Sequence, residues 1–518
     1  MSRLPSSSLV GRILNLPLLV ILMGIGSTSM LVPAGYGWFA GEFFESRVFF
    51  YGAILFGFLT SFLALAMADR PRSNRPRRHL MALLGLFVLL PIMLAVPFHQ
   101  ALRNTSFLNA YFEMVSALTT TGATLFDTPD RLAETLHLWR ALVGWMGGLF
   151  IWVSAIAILA PMALGGFEVR ARFGARQDAG GIGGGLSQIT NVADISQRIR
   201  AYGLKLFPVY AGLTLVLWIG LILAGDTAFV AACHAMSTMA TSGISPVGGM
   251  TNSGAGFAGE AIIAVFFIFA ISRLAFATDM QSENLRSLLG DAEIRMAFAV
   301  ILIVPAFLFL RHWIGAYEVD EETNILAGLT SLWGSVFTVL SFLTTTGFES
   351  SAWAASRDWS GLQTPGLVLT GLALIGGGVA TTAGGAKLMR VYALYLHGRR
   401  ELEKLVHPSS VGGSGTDARH MRGRGAYMSW VFFMLLAMSL AIVTLALSFT
   451  GLDFESTMIL TISALTTTGP LAQVASSAPF SYADLSDPAK VIMAGAMVLG
   501  RLETLAIIAL FNPDSWRR

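Results

Sequence analysis

Four turns carry the same chemistry: Thr119-Thr120-Thr121-Gly122, Ala240-Thr241-Ser242-Gly243, Thr344-Thr345-Thr346-Gly347 and Thr466-Thr467-Thr468-Gly469. Hydroxyls and closely spaced carbonyls beside a glycine suit one task, the replacement of a cation's hydration water by protein oxygens. Glycine lets successive carbonyls turn to one side without a Cβ penalty. Thr and Ser add hydroxyls that coordinate an ion or tie the turn down, and they are small enough for several turns to approach one axis. One such turn also reads as a helix ending at a glycine cap. Four in register, each between long apolar segments, read as a four-fold ion filter.

The elements that position these turns follow from composition. Charged residues are 13% and hydrophobic residues 54% of 518, against roughly 25% charged in a soluble domain. A chain this apolar cannot hide all of its surface in a core, so the bilayer must be its solvent. Ten stretches are long enough to cross: roughly 16–34, 49–68, 80–99, 136–160, 203–224, 257–278, 294–312, 364–392, 426–449 and 488–511. The first begins with Arg3 and Arg12, as a signal peptide would. Ser27, Ser29 and Ala34 make no clear cleavage site and a second span soon follows, so it reads as a helix.

From residue 80 one order recurs four times: long span, short apolar segment, Thr/Ser-Gly turn, long span. The short segments, roughly 105–118, 226–239, 325–342 and 453–465, read as re-entrant half-helices. Asp226-Thr227 and Asp453 with Glu455 are helix-start chemistry. The carbonyl end of such a half-helix carries a partial negative charge that favours a cation. Non-helical backbone beyond it survives at membrane depth only when buried in protein or lining a water-filled path. The division is then a two-helix extension at 1–70 and pore repeats at 80–160, 203–278, 294–392 and 426–511.

Arginine sets the orientation. Arg70, Arg72, Arg75, Arg77 and Arg78, then Arg170, Arg172, Arg176, Arg198 and Arg200, then Arg286 and Arg295, fall in alternate loops. Arg390, Arg399, Arg400, Lys404, Arg419, Arg422 and Arg424 follow, and Arg517 and Arg518 end the chain. All lie on one side with the N-terminus, and that side is cytoplasmic. The opposite loops carry the short segments, and one is acidic (Glu318, Asp320, Glu321, Glu322). The net charge of +3 is thus a product of topology, not of nucleic-acid binding. Trp38, Tyr51, Trp139, Trp313, Trp359 and Trp516 suit interfacial belts.

Two further features stand out. The stretch 364–392 is interrupted by Gly376-Gly377-Gly378-Val379-Ala380-Thr381-Thr382-Ala383-Gly384-Gly385-Ala386-Lys387. Each glycine costs about 1 kcal/mol in a helix interior, so this is either an intramembrane loop or a seam of close helix packing. Lys387 and Arg390 fit snorkelling at its end. The second feature is Gly500-Arg501-Leu502-Glu503, charge inside the last span, which usually faces a cavity or a partner. Arg501 and Glu503 do not share a helix face.

Other candidates are weaker. Gly180-Gly181-Ile182-Gly183-Gly184-Gly185 has no strand before it and reads as a linker, as does Val411-Gly412-Gly413-Ser414-Gly415. His234 reads as a packed or hydrogen-bonded histidine. The lone Cys233 forms no internal disulfide. No cluster has transition-metal spacing and no nucleophile–base set supports an enzyme.

The pattern resembles the Trk/Ktr/HKT superfamily of potassium-translocating membrane proteins, most closely its TrkH type, over nearly the whole chain. Ser116-Ala117-Leu118 running into Thr119-Thr120-Thr121-Gly122-Ala123-Thr124 resembles the first filter. Trp139-Arg140 and Gly144-Trp145-Met146-Gly147-Gly148 resemble the helix after it. Phe229 to Ser245, with His234-Ala235-Met236-Ser237-Thr238, resembles the second pore helix and filter.

The resemblance implies an all-α protein of two N-terminal helices and four helix–pore-loop–helix repeats in pseudo-four-fold arrangement. It implies potassium bound by Thr120, Thr121, Gly122, Ala123, Thr241, Ser242, Gly243, Ile244, Thr345, Thr346, Gly347, Phe348, Thr467, Thr468, Gly469 and Pro470. It implies a gate of Gly376, Gly377, Gly378, Thr381, Thr382, Gly384, Gly385 and Lys387, with Arg501 in the pore. It further implies a homodimer in a bacterial inner membrane, both termini cytoplasmic, with a cytosolic TrkA-like ring. Nucleotide would bind only that ring, and this chain would need no cofactor. The second turn departs with Thr-Ser-Gly-Ile and the fourth with Thr-Thr-Thr-Gly-Pro. The competing readings are an ion-coupled secondary transporter, with alternating access and broken helices, and a monovalent-cation path of weak selectivity.

Overall fold

In the computed structural model, the described residues are 16–67, 76–160, 166–167, 195–272, 291–314, 325–361, 366–408, 425–476 and 480–502. All their regular structure is helical. The glycine-rich stretches 180–185 and 411–415, the acidic loop 318–322, Glu503, Trp516 and most of the loop arginines lie outside these residues, as does the side chain of Trp313.

The extension is α1 (Leu18–Ser29), α2 (Leu31–Ala40) and α3 (Phe43–Met67). The first span therefore runs to Ala40 with a joint at Met30, longer than the sequence predicts. Repeat 1 is α4 (Pro76–Ala101), α5 (Phe107–Leu118) and α6 (Glu134–Ser154). Repeat 2 is α7 (Ile195–Leu223), α8 (Ala228–Ala240), α9 (Gly256–Phe266) and α10 (Ile268–Ile271). Repeat 3 is α11 (Ala292–Ile314), α12 (Ile325–Leu343), α13 (Trp353–Ser360), α14 (Gly366–Ile375) and α15 (Leu388–Val406). Repeat 4 is α16 (Ala426–Ser448), α17 (Phe454–Leu465), α18 (Leu471–Ala475) and α19 (Asp487–Leu502).

The outer helices show why the bilayer is the solvent. On α16, Tyr427, Trp430, Met434, Met438, Ile442 and Leu445 all face outward, a stripe at helical spacing. Phe50, Ile54, Leu55, Phe58, Phe62 and Leu65 do the same on α3. Eight helices are long and apolar enough to cross a membrane.

Two expectations change here. The third short segment is a 19-residue helix, α12, long enough to span by length alone. The stretch 364–392 is no span: α14 stops at Ile375, non-helical backbone follows, and α15 runs on to Val406.

The core lies between repeats. Trp139 is fully buried and donates its Nε1–H to the Leu94 carbonyl at 3.2 Å, so it belongs to the bundle rather than to an interfacial belt. Phe49 of the extension meets it edge-on at 5.3 Å. The extension is also tied by charge. Glu42 accepts from the N–H groups of Glu134 (3.0 Å) and Thr135 (2.9 Å), capping α6 from a neighbouring element.

Candidate ion filter and the layer beneath it

Pore helices α5, α8 and α17 begin with side-chain caps. Ser106 accepts from the Asn109 N–H, Thr227 from Val230 and Asp453 from Ser456. At the second, Thr227 is the cap, and Asp226 is used elsewhere. Each pore helix ends in one of the four turns.

The turns share a backbone. Thr120, Thr241, Thr345 and Thr467 have φ of 53°, 52°, 57° and 55°. A β-branched residue in the left-handed region is a genuine outlier, and such strain costs of order 1–3 kcal/mol per residue unless the surroundings fix it. One hydrogen bond does so in every copy. The N–H after each strained threonine reaches back to the carbonyl of Ser116, Ser237, Ser341 or Ser463, at 2.8–3.0 Å. A serine therefore stands six residues before each glycine. The spacing is visible in the sequence once the four turns are aligned, and the family motif exposes it only in the first.

Thr119, Thr344 and Thr466 add a second tie through hydroxyl bonds to Thr121, Thr346 and Thr468 at 2.8, 3.1 and 3.2 Å. In the second turn Ala240 cannot do this. Ser242 instead bonds the Ser237 hydroxyl at 3.1 Å.

The turns touch in chain order. A β-carbon on Gly122 would stand 1.8 Å from the Ser242 oxygen, and one on Gly243 2.2 Å from the Thr346 oxygen. One on Gly347 would meet the Pro470 ring at 2.9 Å, and one on Gly469 the Ala123 nitrogen at 2.1 Å. First meets second, second third, third fourth and fourth first, so one chain closes the ring. Ile244 and Phe348 are buried, and Ile244 packs toward Gly144 of α6. Phe348 lies edge-on to His234 at 5.7 Å.

Each turn also has its own polar staple. Glu113 accepts from the Leu125 N–H at 2.6 Å and the Thr124 hydroxyl at 3.0 Å, and pairs with Arg140 at 2.9 Å, both side chains buried. His234 shares a 2.9 Å bond with the Ser245 hydroxyl and sits 3.5 Å from Asp226, which accepts from Ser253 and Ala255. Glu260 accepts from Trp333, Ser350 and Ser351 beyond the third turn. Tyr482 donates to the Gly469 carbonyl at 2.7 Å. These staples carry no shared spacing, which is why the sequence does not reveal them.

The fourth turn is unlike the others. Gly122, Gly243 and Gly347 have φ of 75°, 66° and 85°, whereas Gly469 lacks a positive φ. Its N–H crosses to the Thr121 carbonyl at 2.6 Å, and Pro470 starts α18 at once. Glycine at four equivalent positions thus becomes three similar turns and one variant.

Beneath the ring lies the 376–387 loop. Gly376, Ala380, Gly385 and Lys387 have φ of 71°, 59°, 75° and 79°, incompatible with a continuous helix. The Gly378 N–H binds the Ala270 carbonyl and the Val379 N–H binds Glu293 Oε1, both at 3.0 Å. Thr381 bonds the Gly378 carbonyl, closing the loop on itself. Gly384 donates to the Thr345 hydroxyl at 2.7 Å, and a β-carbon on it would lie 2.2 Å from the Thr466 carbonyl. Thr382 reaches the Met239 carbonyl at 3.3 Å.

Arg501 joins the two layers. Its Nε donates to the Thr119 carbonyl and its Nη1 to the Thr382 carbonyl, each at 2.7 Å. The preceding Gly500 would place a β-carbon 2.3 Å from the Leu465 carbonyl, so α19 lies hard against the end of α17. Gly147 does the same against Leu118 in repeat 1, at 2.1 Å.

Lys387 and Arg390 do not snorkel. Both are buried; Lys387 turns back onto the Ala383 carbonyl, and Arg390 lies 3.7 Å over the Phe432 ring.

A family model described as a cation transport protein, TrkH, matches residues 88–518. The chain belongs to the TrkH family of cation transport proteins. It is 30% identical over 426 residues to the Trk system potassium uptake protein TrkH of Vibrio parahaemolyticus, covering 80% of each chain. Identity is 31% over 442 residues to the TrkH protein of Halomonas elongata, covering 84% of each. The crystal structure of the potassium transporter TrkH from Vibrio parahaemolyticus matches with a TM-score of 0.78 at 26% identity, over 98% of this chain and all of that one. The family transports ions and is not an enzyme, and the all-α repeat architecture expected from the sequence is the one observed.

Proposed function

We propose that this chain takes up potassium across a bacterial inner membrane through the ring of Thr120–Gly122, Thr241–Gly243, Thr345–Gly347 and Thr467–Gly469. The observation that carries this reading is the closed ring itself: four strained threonine turns in contact in chain order, each at the carbonyl end of a buried helix. Helix ends aimed inward favour a cation. Unbonded carbonyls at a fixed separation can replace its water. The potassium uptake names of the relatives support the choice of ion.

The 376–387 loop and Arg501 form the barrier below. A buried guanidinium bonded to the ring on one side and the loop on the other repels a cation leaving the filter. Opening then requires that both 2.7 Å bonds break and the loop move away from Thr345. The signal for opening comes from a cytosolic, TrkA-like nucleotide-binding ring acting on a homodimer of this chain.

Flux of rubidium and sodium into proteoliposomes tests the reading. Rubidium entry driven by membrane potential alone, and competed by potassium better than by sodium, is expected. Uptake that strictly requires a sodium or proton gradient would make the chain a coupled transporter instead.

A further inference from the structure

The fourth turn has spent the groups that the other three keep. Among the described residues, the carbonyls of Gly122, Gly243 and Gly347 accept no hydrogen bond. The Gly469 carbonyl accepts from the Tyr482 hydroxyl at 2.7 Å. Tyr482 is fully buried, and the same hydroxyl shares a 2.8 Å bond with Ser463, which in turn donates to the Thr468 carbonyl at 3.0 Å. The Leu471 N–H takes the Thr468 carbonyl as well. On the other side, the Gly469 N–H occupies the Thr121 carbonyl. The Pro470 ring then fills the space beside both Gly243 and Gly347, 2.9 Å from where either would carry a β-carbon.

We infer that the outer level of the filter is three-sided, and that Pro470 and Tyr482 determine how it discriminates between cations. Only the strained threonines keep four-fold equivalence, at the inner level. Above them, three glycine carbonyls face a proline wedge instead of a fourth carbonyl. Tyr482 is a positioning residue: it touches no ion, but it turns the Gly469 carbonyl away from the axis and fixes the wedge. Selectivity among monovalent cations depends on the number and field strength of coordinating carbonyls and on how freely they adjust. A ring clamped at one quadrant adjusts less. Releasing the clamp frees the Gly469 carbonyl and loosens the wedge, and discrimination falls. The inference rests on the four turns being the permeation path.

The test is rubidium uptake by the full chain in proteoliposomes, measured with increasing external sodium or potassium as competitor. Tyr482→Phe keeps the ring and its packing but removes the hydroxyl. Its preference for rubidium over sodium is expected to fall by about fivefold, the factor carried by one net hydrogen bond of ~1 kcal/mol, with rubidium uptake itself retained. Pro470→Ala should shift the preference in the same direction, and the double variant should go no further than the larger single one. Ser463→Ala probes the same hydroxyl from its other partner if Tyr482→Phe fails to fold. Folded variants with the wild-type preference, whatever their thermal stability, would reduce Tyr482 and Pro470 to packing and overturn the inference. A wild-type chain without rubidium flux would instead overturn the permeation reading beneath it.

Discussion

In the ring, Thr120, Thr241, Thr345 and Thr467 repeat one backbone and one hydrogen bond to a pore-helix serine. Beneath it, the 376–387 loop and Arg501 occur once. The contrast is sharp at matched places. Gly147 and Gly500 both press against the last carbonyls of a pore helix, and Gly148 follows one where Arg501 follows the other. In repeat 1, α6 runs unbroken from Glu134 to Ser154; in repeat 3, the helix after the filter stops at Ile375 and resumes at Leu388. Coordination needs equivalent groups around an axis, and repetition supplies them. A barrier needs only one obstruction, and one repeat can provide it without disturbing the others.

The comparison can be broken from the ring side first. Gly122→Ala forces a β-carbon onto the Ser242 oxygen, a 1.8 Å approach between backbones that cannot yield without opening the ring. Rubidium uptake should fall to background while the helix bundle stays folded by circular dichroism. Uptake near wild type would mean that the turns are not in register around a path. Glu113→Gln comes next. It leaves Arg140 buried beside a neutral amide and weakens the bonds to Leu125 and Thr124. Losing one partner of a buried pair costs about 3 kcal/mol or more, seen as a lower thermal midpoint in detergent.

From the lower layer the sign reverses. Arg501→Ala removes the cation that bridges Thr119 and Thr382. Rubidium flux should rise by about tenfold, equivalent to a barrier lowered by ~1.4 kcal/mol, with the rubidium-to-sodium preference unchanged. A change in preference at constant flux would place Arg501 in the filter rather than below it. The smallest effect is expected at Ser341. Its hydroxyl is buried without a hydrogen-bond partner, and only its carbonyl serves the turn. Ser341→Ala should alter stability by no more than about 0.5 kcal/mol and leave flux intact.

Much of the fold was legible because bilayer-spanning helices are set by local composition. The eight long apolar helices fall where the hydropathy places them, and the breaks at 376–387 follow from glycine density alone. The positions of the four turns were legible for the same reason, since repetition exposes them. What pins them was not. Glu113, Glu260, Asp226 and Tyr482 serve one purpose from four unrelated sequence positions, on different elements, so no spacing announces them. Arg390 and Lys387 misled in the opposite direction. Their place near a helix start suggests snorkelling, yet an aromatic ring at 3.7 Å and a nearby carbonyl hold them inside. The special character of the fourth turn was half visible: Pro470 is plain in the sequence, but the bond from Gly469 to Thr121 requires knowing which turns are neighbours.

The closure of the ring by a single polypeptide has a consequence for how such a pore can change. In an assembly of four identical chains, any substitution at the axis strikes every quadrant at once, and most would be ruinous. Here a mutation alters one quarter of the ring and leaves three intact. Each quadrant is free to drift toward its own task, and Pro470 and Arg501, both from the last repeat, show the last quarter to have travelled furthest.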